Sequence, residues 1–88
     1  MEEQAFVITN RLGLHARAAG LLVRMANRYQ AEISIEKDGM VANAKSIMGV
    51  MMLAAARGSQ VRIRAEGSDA RRAVRALGRL IDRRFGED

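Results

Sequence analysis

His15 is the only histidine of the chain, and it stands two residues before Arg17 in the segment GLHAR, residues 13–17. An apolar stretch precedes this segment and a helical pattern rich in alanine and leucine follows it. The imidazole is therefore expected at the start of a helix. A helix N-terminus presents free N–H groups and a partial positive charge, which favour a bound phosphate or other anion. A nucleophilic nitrogen beside such an anion site suggests a group that carries phosphate.

These residues also have structural interpretations. A single histidine at a helix start is more often a capping or surface residue than a catalytic one. Arg17 alone would usually be a solvated charge, and Ser46, at the start of a second helical pattern, is by default an N-cap residue. The chain has no cysteine, and no carboxylate is clustered near His15 in the sequence, so we expect no metal site. No glycine-rich nucleotide loop is present either, and we expect neither a cofactor nor a self-contained enzyme.

The composition is that of a small folded protein with a basic surface. Residues 1–88 are expected to form one domain, and 49% of them are hydrophobic, which argues against disorder. Aromatic residues make up only 3%, so aliphatic side chains, alanine and methionine must fill the core. The formal net charge is +5, which suits acidic partners. No secretory segment or apolar run of membrane length is visible, so we expect a cytoplasmic protein that does not insert into a membrane.

Seven elements follow from the hydrophobic patterns. Alternating residues predict strands, apolar residues at helical spacing predict helices, and Asp38-Gly39 is a strong hairpin signal. Ser68 is expected to cap the last helix. Gly78, inside that helix, costs roughly 1 kcal/mol relative to alanine, which suggests a close contact there. The predicted order is β-α-β-β-α-β-α, with strands over residues 4–9, 31–37, 40–44 and 60–66 and helices over residues 16–28, 46–56 and 69–85.

The strands near residues 31–37 and 60–66 each have one apolar and one polar face. One side of the sheet should therefore face water while the helices cover the other side. This pattern predicts an α+β fold, a two-layer open-faced sandwich with a largely antiparallel sheet.

The second predicted helix has almost no polar residue after Ser46. A helix that is apolar all round is normally buried, which is hard to achieve in a two-layer domain of this size. Val50 and Leu53 are expected in the core. Ile47, Met48 and Met51 are then expected at the surface as an interaction site, and methionine suits a surface that fits several partners. A fully buried helix with methionine as gap filler is an equally good interpretation of the periodicity.

Residues 10–17 (NRLGLHAR) resemble the active-site signature of the histidine-containing phosphocarrier protein (HPr) family of the bacterial phosphoenolpyruvate-dependent phosphotransferase system. Residues 45–51 (KSIMGVM) resemble that family's second signature, around its regulatory serine. The resemblance spans about residues 5–81, and two motifs at the correct separation are more specific than either alone. It implies an open-faced sandwich with four antiparallel strands in the order 1-4-2-3 and three helices on one face.

The resemblance implies a function for each motif. His15 would accept a phosphoryl group on Nδ1 from phosphorylated enzyme I and pass it to a histidine of an enzyme IIA protein, in sugar transport. Arg17 would help hold the phosphoryl group, and Ser46 would be phosphorylated by an ATP-dependent HPr kinase/phosphorylase in bacteria that have one. The positive helix end and Arg17 would stabilise the phosphoryl dianion. The family's proteins are phosphocarriers with a transient phosphohistidine, and not enzymes in their own right.

The docking face for these partners is expected around the second helix. We expect Leu21 and Arg24 to lie beside Ile47, Met48 and Met51 in this face. A phosphate on Ser46 would lie at its rim and weaken docking of enzyme I through like-charge repulsion. A monomer is expected, because a shuttle must offer one face to successive partners.

Two residues depart from the family pattern. Ala18 stands where the family usually has proline, and Gly49 replaces a larger residue. These departures favour a regulatory branch, such as a nitrogen-type relay, over sugar uptake. One alternative is therefore an HPr-like regulatory module, controlled through a nitrogen-type relay or a Ser46 kinase, with little role in sugar transport. A second alternative, a nucleic-acid-binding domain, is suggested by the arginine-rich last helix, but the outer sheet face lacks the aromatic side chains on which bases stack, so we expect no nucleic acid.

Overall fold

A computed structural model describes residues 1–87, and its elements follow the predicted order. The strands are β1 (Glu2–Val7), β2 (Glu32–Lys37), β3 (Met40–Asn43) and β4 (Gln60–Glu66). The helices are α1 (Ala16–Ala26), α2 (Ile47–Met52) and α3 (Ala70–Asp82), and a tight turn with positive φ angles (Arg84–Gly86) follows α3.

The four strands form one antiparallel sheet in the order β1-β4-β2-β3. Phe6 lies opposite Val61, and Ile35 lies opposite Ile63, so the apolar residues of neighbouring strands point to the same face. The helices cover this face, and the other face carries exposed charges such as Arg62. The predicted two-layer open-faced sandwich is confirmed. The largest fully buried side chains are Phe85, Ile8, Leu22, Ile35, Ile63, Leu77, Ile81, Val50, Val61 and Asn10.

The hairpin between β2 and β3 turns at Asp38 and Gly39, as predicted. Their φ angles are +51° and +84°. Two successive positive φ angles define the mirror-image turn that matches the twist of paired strands, and Asp-Gly is favoured there.

Helix α2 is shorter than predicted, because it ends at Met52 and not at residue 56. Leu53 is its C-cap, and Ala54 adopts a φ of +49° that breaks the helix. The carbonyl of Ala55, which is buried, accepts a hydrogen bond from the N–H of Leu14 at 2.9 Å. The alanines after Met52 favour a helix intrinsically, but this contact with the loop before α1 requires a different path.

Helix α3 begins at Ala70 and ends at Asp82, so both predicted ends are wrong. Asp69, and not Ser68, is the N-cap residue. Its carboxylate accepts hydrogen bonds from the backbone N–H groups of Gln30 at 2.8 Å and Ala31 at 2.9 Å. These bonds, the one from Gln30 first, hold the pKa of Asp69 below its ordinary value of 3.8.

Gly78 lies on the side of α3 that packs against β1. A Cβ atom at this position would lie 2.4 Å from Cε1 of Phe6. The predicted close contact is confirmed, since the missing side chain lets the helix approach the aromatic ring of the sheet.

Candidate functional site

His15 is the N-cap residue of α1. Its φ and ψ angles of −73° and 179° are extended, and its carbonyl accepts a hydrogen bond from the N–H of Ala19 at 2.8 Å. The first N–H groups of an α-helix have no partner within the helix. The first turn of α1 contains no acidic residue, so the helix end beside the imidazole favours an anion.

The loop before α1 is fixed by the segment that follows α2. Gly13 has a φ of +67°, and a Cβ at this position would lie 2.4 Å from the carbonyl oxygen of Ala55. The next residue, Leu14, is buried and donates its N–H to that same oxygen. Glycine is therefore required at position 13 both for the backbone conformation and for the close approach. Together these contacts set where His15 enters the helix.

A carboxylate lies directly beside the imidazole. Oε2 of Glu87 is 2.6 Å from Nε2 of His15, and the two side chains are 17% and 27% exposed. Nδ1 of His15 forms no hydrogen bond with any of residues 1–87. No carboxylate is near His15 in the sequence, but the fold brings Glu87, which is 72 residues away, back to α1.

Arg17 contacts the same carboxylate. Its Nη1 donates to Oε2 of Glu87 at 3.3 Å and to the carbonyl of Phe85 at 3.1 Å. The arginine side chain is 56% exposed. The guanidinium is therefore held through Nη1, and no hydrogen bond to residues 1–87 is made by its other nitrogens, which are suitable donors to a phosphoryl group.

Asn10 supports the carboxylate from inside the protein. It is fully buried, and its Nδ2 donates to the carbonyl of Gly13 at 2.7 Å and to Oε1 of Glu87 at 3.2 Å. The hydrogen bond from His15, then that from Asn10, and the positive charge of Arg17 hold the pKa of Glu87 below its ordinary value of 4.5. Glu87 is therefore a charged carboxylate at neutral pH.

A shallow pocket opens at this site, with a volume of about 370 Å³. A larger pocket of about 550 Å³ lies elsewhere, against β2, β3 and β4, and none of the predicted site residues lines it. The pocket at the helix start is lined by Arg11, Leu12, His15, Arg17, Gly86 and Glu87.

The comparisons with known proteins agree with this geometry. Residues 2–83 match the family model described as the PTS HPr component phosphorylation site. The chain belongs to the HPr family of phosphocarrier proteins. It is 46% identical over 88 residues to the phosphocarrier protein HPr of Xylella fastidiosa strain 9a5c, covering 100% of this chain and 99% of that protein.

Two solved structures of the HPr family are similar to this fold. A crystal structure of HPr from Thermoanaerobacter tengcongensis superposes with a TM-score of 0.97 at 45% identity, covering 100% of this chain and 99% of that one. The catabolite repression protein Crh of Bacillus subtilis superposes with a TM-score of 0.76 at 39% identity, covering 96% and 97%. That protein is described as a dimer with a swapped domain, so the expected monomer is not a general property of the family.

Ser46 is the N-cap residue of α2 in this HPr-family protein, as predicted. Its Oγ accepts a hydrogen bond from the N–H of Gly49 at 3.1 Å. A Cβ at position 49 would be 3.4 Å from that Oγ, so the small residue leaves room around the hydroxyl. Ser46 does not belong to the His15 pocket, which is lined by other residues.

The apolar side chains of α2 divide as expected. Ile47, Met48 and Met51 are 47%, 72% and 39% exposed, whereas Val50 and Leu53 are buried. Helix α1, which carries the half-buried Leu21 and the exposed Arg24, packs against α2. We call Leu21, Arg24, Ile47, Met48 and Met51 the α1–α2 face.

The sequence patterns missed three residues of this region. Glu87 contacts both the imidazole and the arginine, and no motif spacing connects it to His15. Asn10 belongs to the signature of residues 10–17, but its function of holding Glu87 was not predicted. Leu12, which is 61% exposed and lines the pocket, also lies in that signature, but no function was predicted for it. Its signal was available, since a large apolar residue in a loop next to a candidate site suggests contact with a partner.

No metal-binding cluster of three or more histidine, cysteine, aspartate or glutamate residues occurs among residues 1–87. None of the helices in this described part of the chain is long and apolar enough to cross a membrane.

Proposed function

We propose that Nδ1 of His15 accepts a phosphoryl group from phosphorylated enzyme I and passes it to a histidine of an enzyme IIA protein. The observation that carries this proposal is the position of the imidazole at the N-terminus of α1, two residues before Arg17, with Nδ1 not bonded to any of residues 1–87. Free helix N–H groups and the guanidinium are suitable donors to a phosphoryl dianion. Membership of a phosphocarrier family supports the same chemistry.

The protein acts as a carrier, and its partners provide the phosphoryl donor and the phosphoryl acceptor. The pocket at His15 is shallow and offers no enclosed space for a substrate, so the donor and acceptor must be positioned by docking. The α1–α2 face, which includes three of the four exposed apolar residues of α2, is the proposed docking surface. We assign this work to a monomeric single domain, residues 1–88, in the cytoplasm, where both partners would meet it.

Mass spectrometry after incubation with phosphoenolpyruvate and enzyme I of the same organism tests the proposal. The expected result is one added phosphoryl group that is labile in acid and absent from the His15→Ala variant. The exposed Arg75→Ala variant serves as a matched control, because Arg75 lies on α3 outside the site. A folded wild-type protein that takes up no phosphoryl group would contradict the proposal.

A regulatory role through Ser46 is the second candidate function. It is favoured by the 39% identity to Crh, which is described as a catabolite repression protein, and by the position of the serine at a helix N-terminus beside the exposed residues of α2. An HPr kinase/phosphorylase would be the partner. Incubation with that kinase and ATP should add one acid-stable phosphoryl group to the wild type and none to the Ser46→Ala variant, and equal labelling of both would exclude Ser46.

A further inference from the structure

The two ring nitrogens of His15 have different surroundings. Nε2 lies 2.6 Å from Oε2 of Glu87, a short hydrogen bond to a charged acceptor, whereas Nδ1 is not bonded to residues 1–87. In a neutral imidazole one nitrogen carries the proton and the other carries the lone pair, and the hydrogen bond made by one decides the role of the other.

We infer that Glu87 is a positioning residue for phosphoryl transfer, which holds the proton of His15 on Nε2, frees the lone pair of Nδ1 and stabilises the positive charge of the phosphorylated ring. This inference rests on the proposed function of His15. No family signature in the sequence includes Glu87, and it follows from the hydrogen bonds at the end of the described chain.

The transfer step explains why a carboxylate is useful at Nε2. The lone pair of Nδ1 forms the new bond to phosphorus, while the bond from phosphorus to the donor atom breaks and its electron pair stays with the donor. No proton leaves His15, so the ring keeps its proton on Nε2 and becomes a phosphorylated imidazolium. An adjacent carboxylate stabilises such a cation, as it does in other carboxylate–histidine pairs.

The same contact supports onward transfer. When the acceptor nitrogen attacks phosphorus, the Nδ1–P bond breaks and its electron pair returns to Nδ1. Because Nε2 still carries its proton, the leaving group is a neutral imidazole and not an imidazolate anion. Glu87 therefore keeps the ring in the protonation state that both half-reactions require.

Glu87 does not block the phosphoryl position. The two ring nitrogens direct their bonding positions away from each other, so a carboxylate at Nε2 leaves Nδ1 accessible. Its negative charge is partly balanced by the hydrogen bond from Asn10 and by Arg17. The guanidinium, which is more than half exposed, has further donors for the phosphoryl oxygens.

The backbone conformation of the three residues before Glu87 determines where this side chain lies. Arg84, Phe85 and Gly86 have successive positive φ angles of +57°, +54° and +75°. Such angles are uncommon outside glycine and persist where packing imposes them. Here the side chain of Phe85 is buried in the core. The backbone carbonyl of Phe85 accepts a hydrogen bond from Arg17. The turn thus directs Glu87 back onto α1.

Two substitutions separate the proton-holding role from the charge. Glu87→Gln keeps an oxygen that can accept the Nε2 proton but removes the charge, and Glu87→Ala removes both. Glu66→Gln is the matched control, because Glu66 is exposed at the end of β4 and forms no ion pair with the described residues.

Nitrogen NMR of the imidazole at a pH where it is neutral reports which nitrogen carries the proton. We expect Nε2–H in the wild type, Glu66→Gln and Glu87→Gln, and a mixture of both tautomers in Glu87→Ala. Rapid-quench phosphorylation by enzyme I should be about tenfold slower in both Glu87 variants, since both remove the negative charge that stabilises the phosphorylated ring in a partly exposed site. A purely structural role for Glu87 would leave the tautomer unchanged.

Unchanged tautomer populations in Glu87→Ala together with wild-type rates in both variants would overturn the inference. If the wild type itself takes up no phosphoryl group, the proposed function fails. The tautomer measurement on the unphosphorylated protein then still decides whether Glu87 holds the Nε2 proton, so the two failures are distinguishable.

Discussion

At the scale of single residues, the site depends on how one carboxylate is shared. Oε2 of Glu87 accepts hydrogen bonds from both His15 and Arg17, which holds the imidazole and the guanidinium close to the same carboxylate. The local motif supplies the two groups, but their relative position is set by the residues that hold Glu87. Substitutions that keep the charges and change the geometry are therefore informative.

Arg17→Lys is expected to slow phosphorylation of His15 by about tenfold, because lysine keeps the charge but loses the planar set of donors that suits a phosphoryl group. The guanidinium also bridges to the carbonyl of Phe85, which a single ammonium would not reproduce together with the other contacts. Initial rates with enzyme I and phosphoenolpyruvate would measure this. Arg75→Lys, on the exposed side of α3, provides the control, and equal rates for both variants would show that charge alone matters at position 17.

At the scale of elements, the close packing of α3 on β1 makes a clear prediction for stability. Gly78→Ala should lower the free energy of unfolding by about 1–3 kcal/mol, because the added Cβ would overlap the ring of Phe6 and force it to move. Gly20→Ala, in α1, has open space around the added Cβ. It should raise the free energy of unfolding by about 0.5–1 kcal/mol through helix propensity.

Urea unfolding followed by circular dichroism would measure both substitutions. The two changes are chemically identical and both lie within helices, so opposite signs would isolate the contact with Phe6. If Gly78→Ala were stabilising as well, the ring of Phe6 could move without cost, and the close approach of α3 to β1 would not determine the stability.

The N-terminus of α2 offers a second prediction at this scale. Ser46→Asp should leave the fold intact, because an acidic residue is favourable at a helix N-terminus and can accept the N–H of Gly49. It should nevertheless weaken docking of enzyme I, since its charge lies at the edge of the exposed residues Ile47 and Met48. The Michaelis constant for phosphorylation would rise while the melting temperature stays close to that of the wild type.

Ser46→Asn is the matched control for this effect, because it retains an N-cap oxygen without the charge. Phosphotransfer from enzyme I that is equal for the aspartate, asparagine and wild-type proteins would contradict the proposed docking surface.

At the scale of the whole molecule, Asp69 joins two distant parts of the chain. Its carboxylate bonds to the backbone of Gln30 and Ala31 between α1 and β2, and it also begins α3. Because its pKa is lowered in the folded protein, folding favours the charged form. This stabilisation is complete above the ordinary value of 3.8, which applies to the unfolded chain, and it is lost as the pH falls through the lower folded-state value.

Asp69→Asn should therefore lower the free energy of unfolding at neutral pH, and its difference from the wild type should shrink as the pH falls below about 3.8. Urea titrations of both proteins at several pH values would measure this difference. Asp82→Asn, on the exposed end of α3, should show no comparable trend. A difference that is constant with pH would mean that the charge of Asp69 contributes nothing.

The sequence predicted those features that depend on neighbouring residues. Alternation identified the strands, the Asp38-Gly39 turn followed from its backbone preferences, and the segment around His15 indicated the helix start. The end of α2 could not be read in this way. Its alanines favour a helix, and only the hydrogen bond between Leu14 and Ala55 shows why the helix stops.

Glu87 was missed for the same kind of reason. Its proximity to His15 depends on the packing of α3 against the sheet and on the buried ring of Phe85. Neither is encoded by the spacing of residues near the histidine. The motif therefore identified His15, the proposed phosphoryl acceptor, but not the carboxylate that lies beside it.

The contact between His15 and Glu87 also has a consequence for biosynthesis. A ribosome makes the histidine early and the glutamate 72 residues later, and β1 likewise pairs only with the late strand β4. A nascent chain that has emerged only as far as α2 contains the nucleophile without its strand partner, its carboxylate or the anchor for Arg17. Because such long-range contacts form last, the imidazole acquires the surroundings described here only after β4, α3 and Glu87 have all been synthesised.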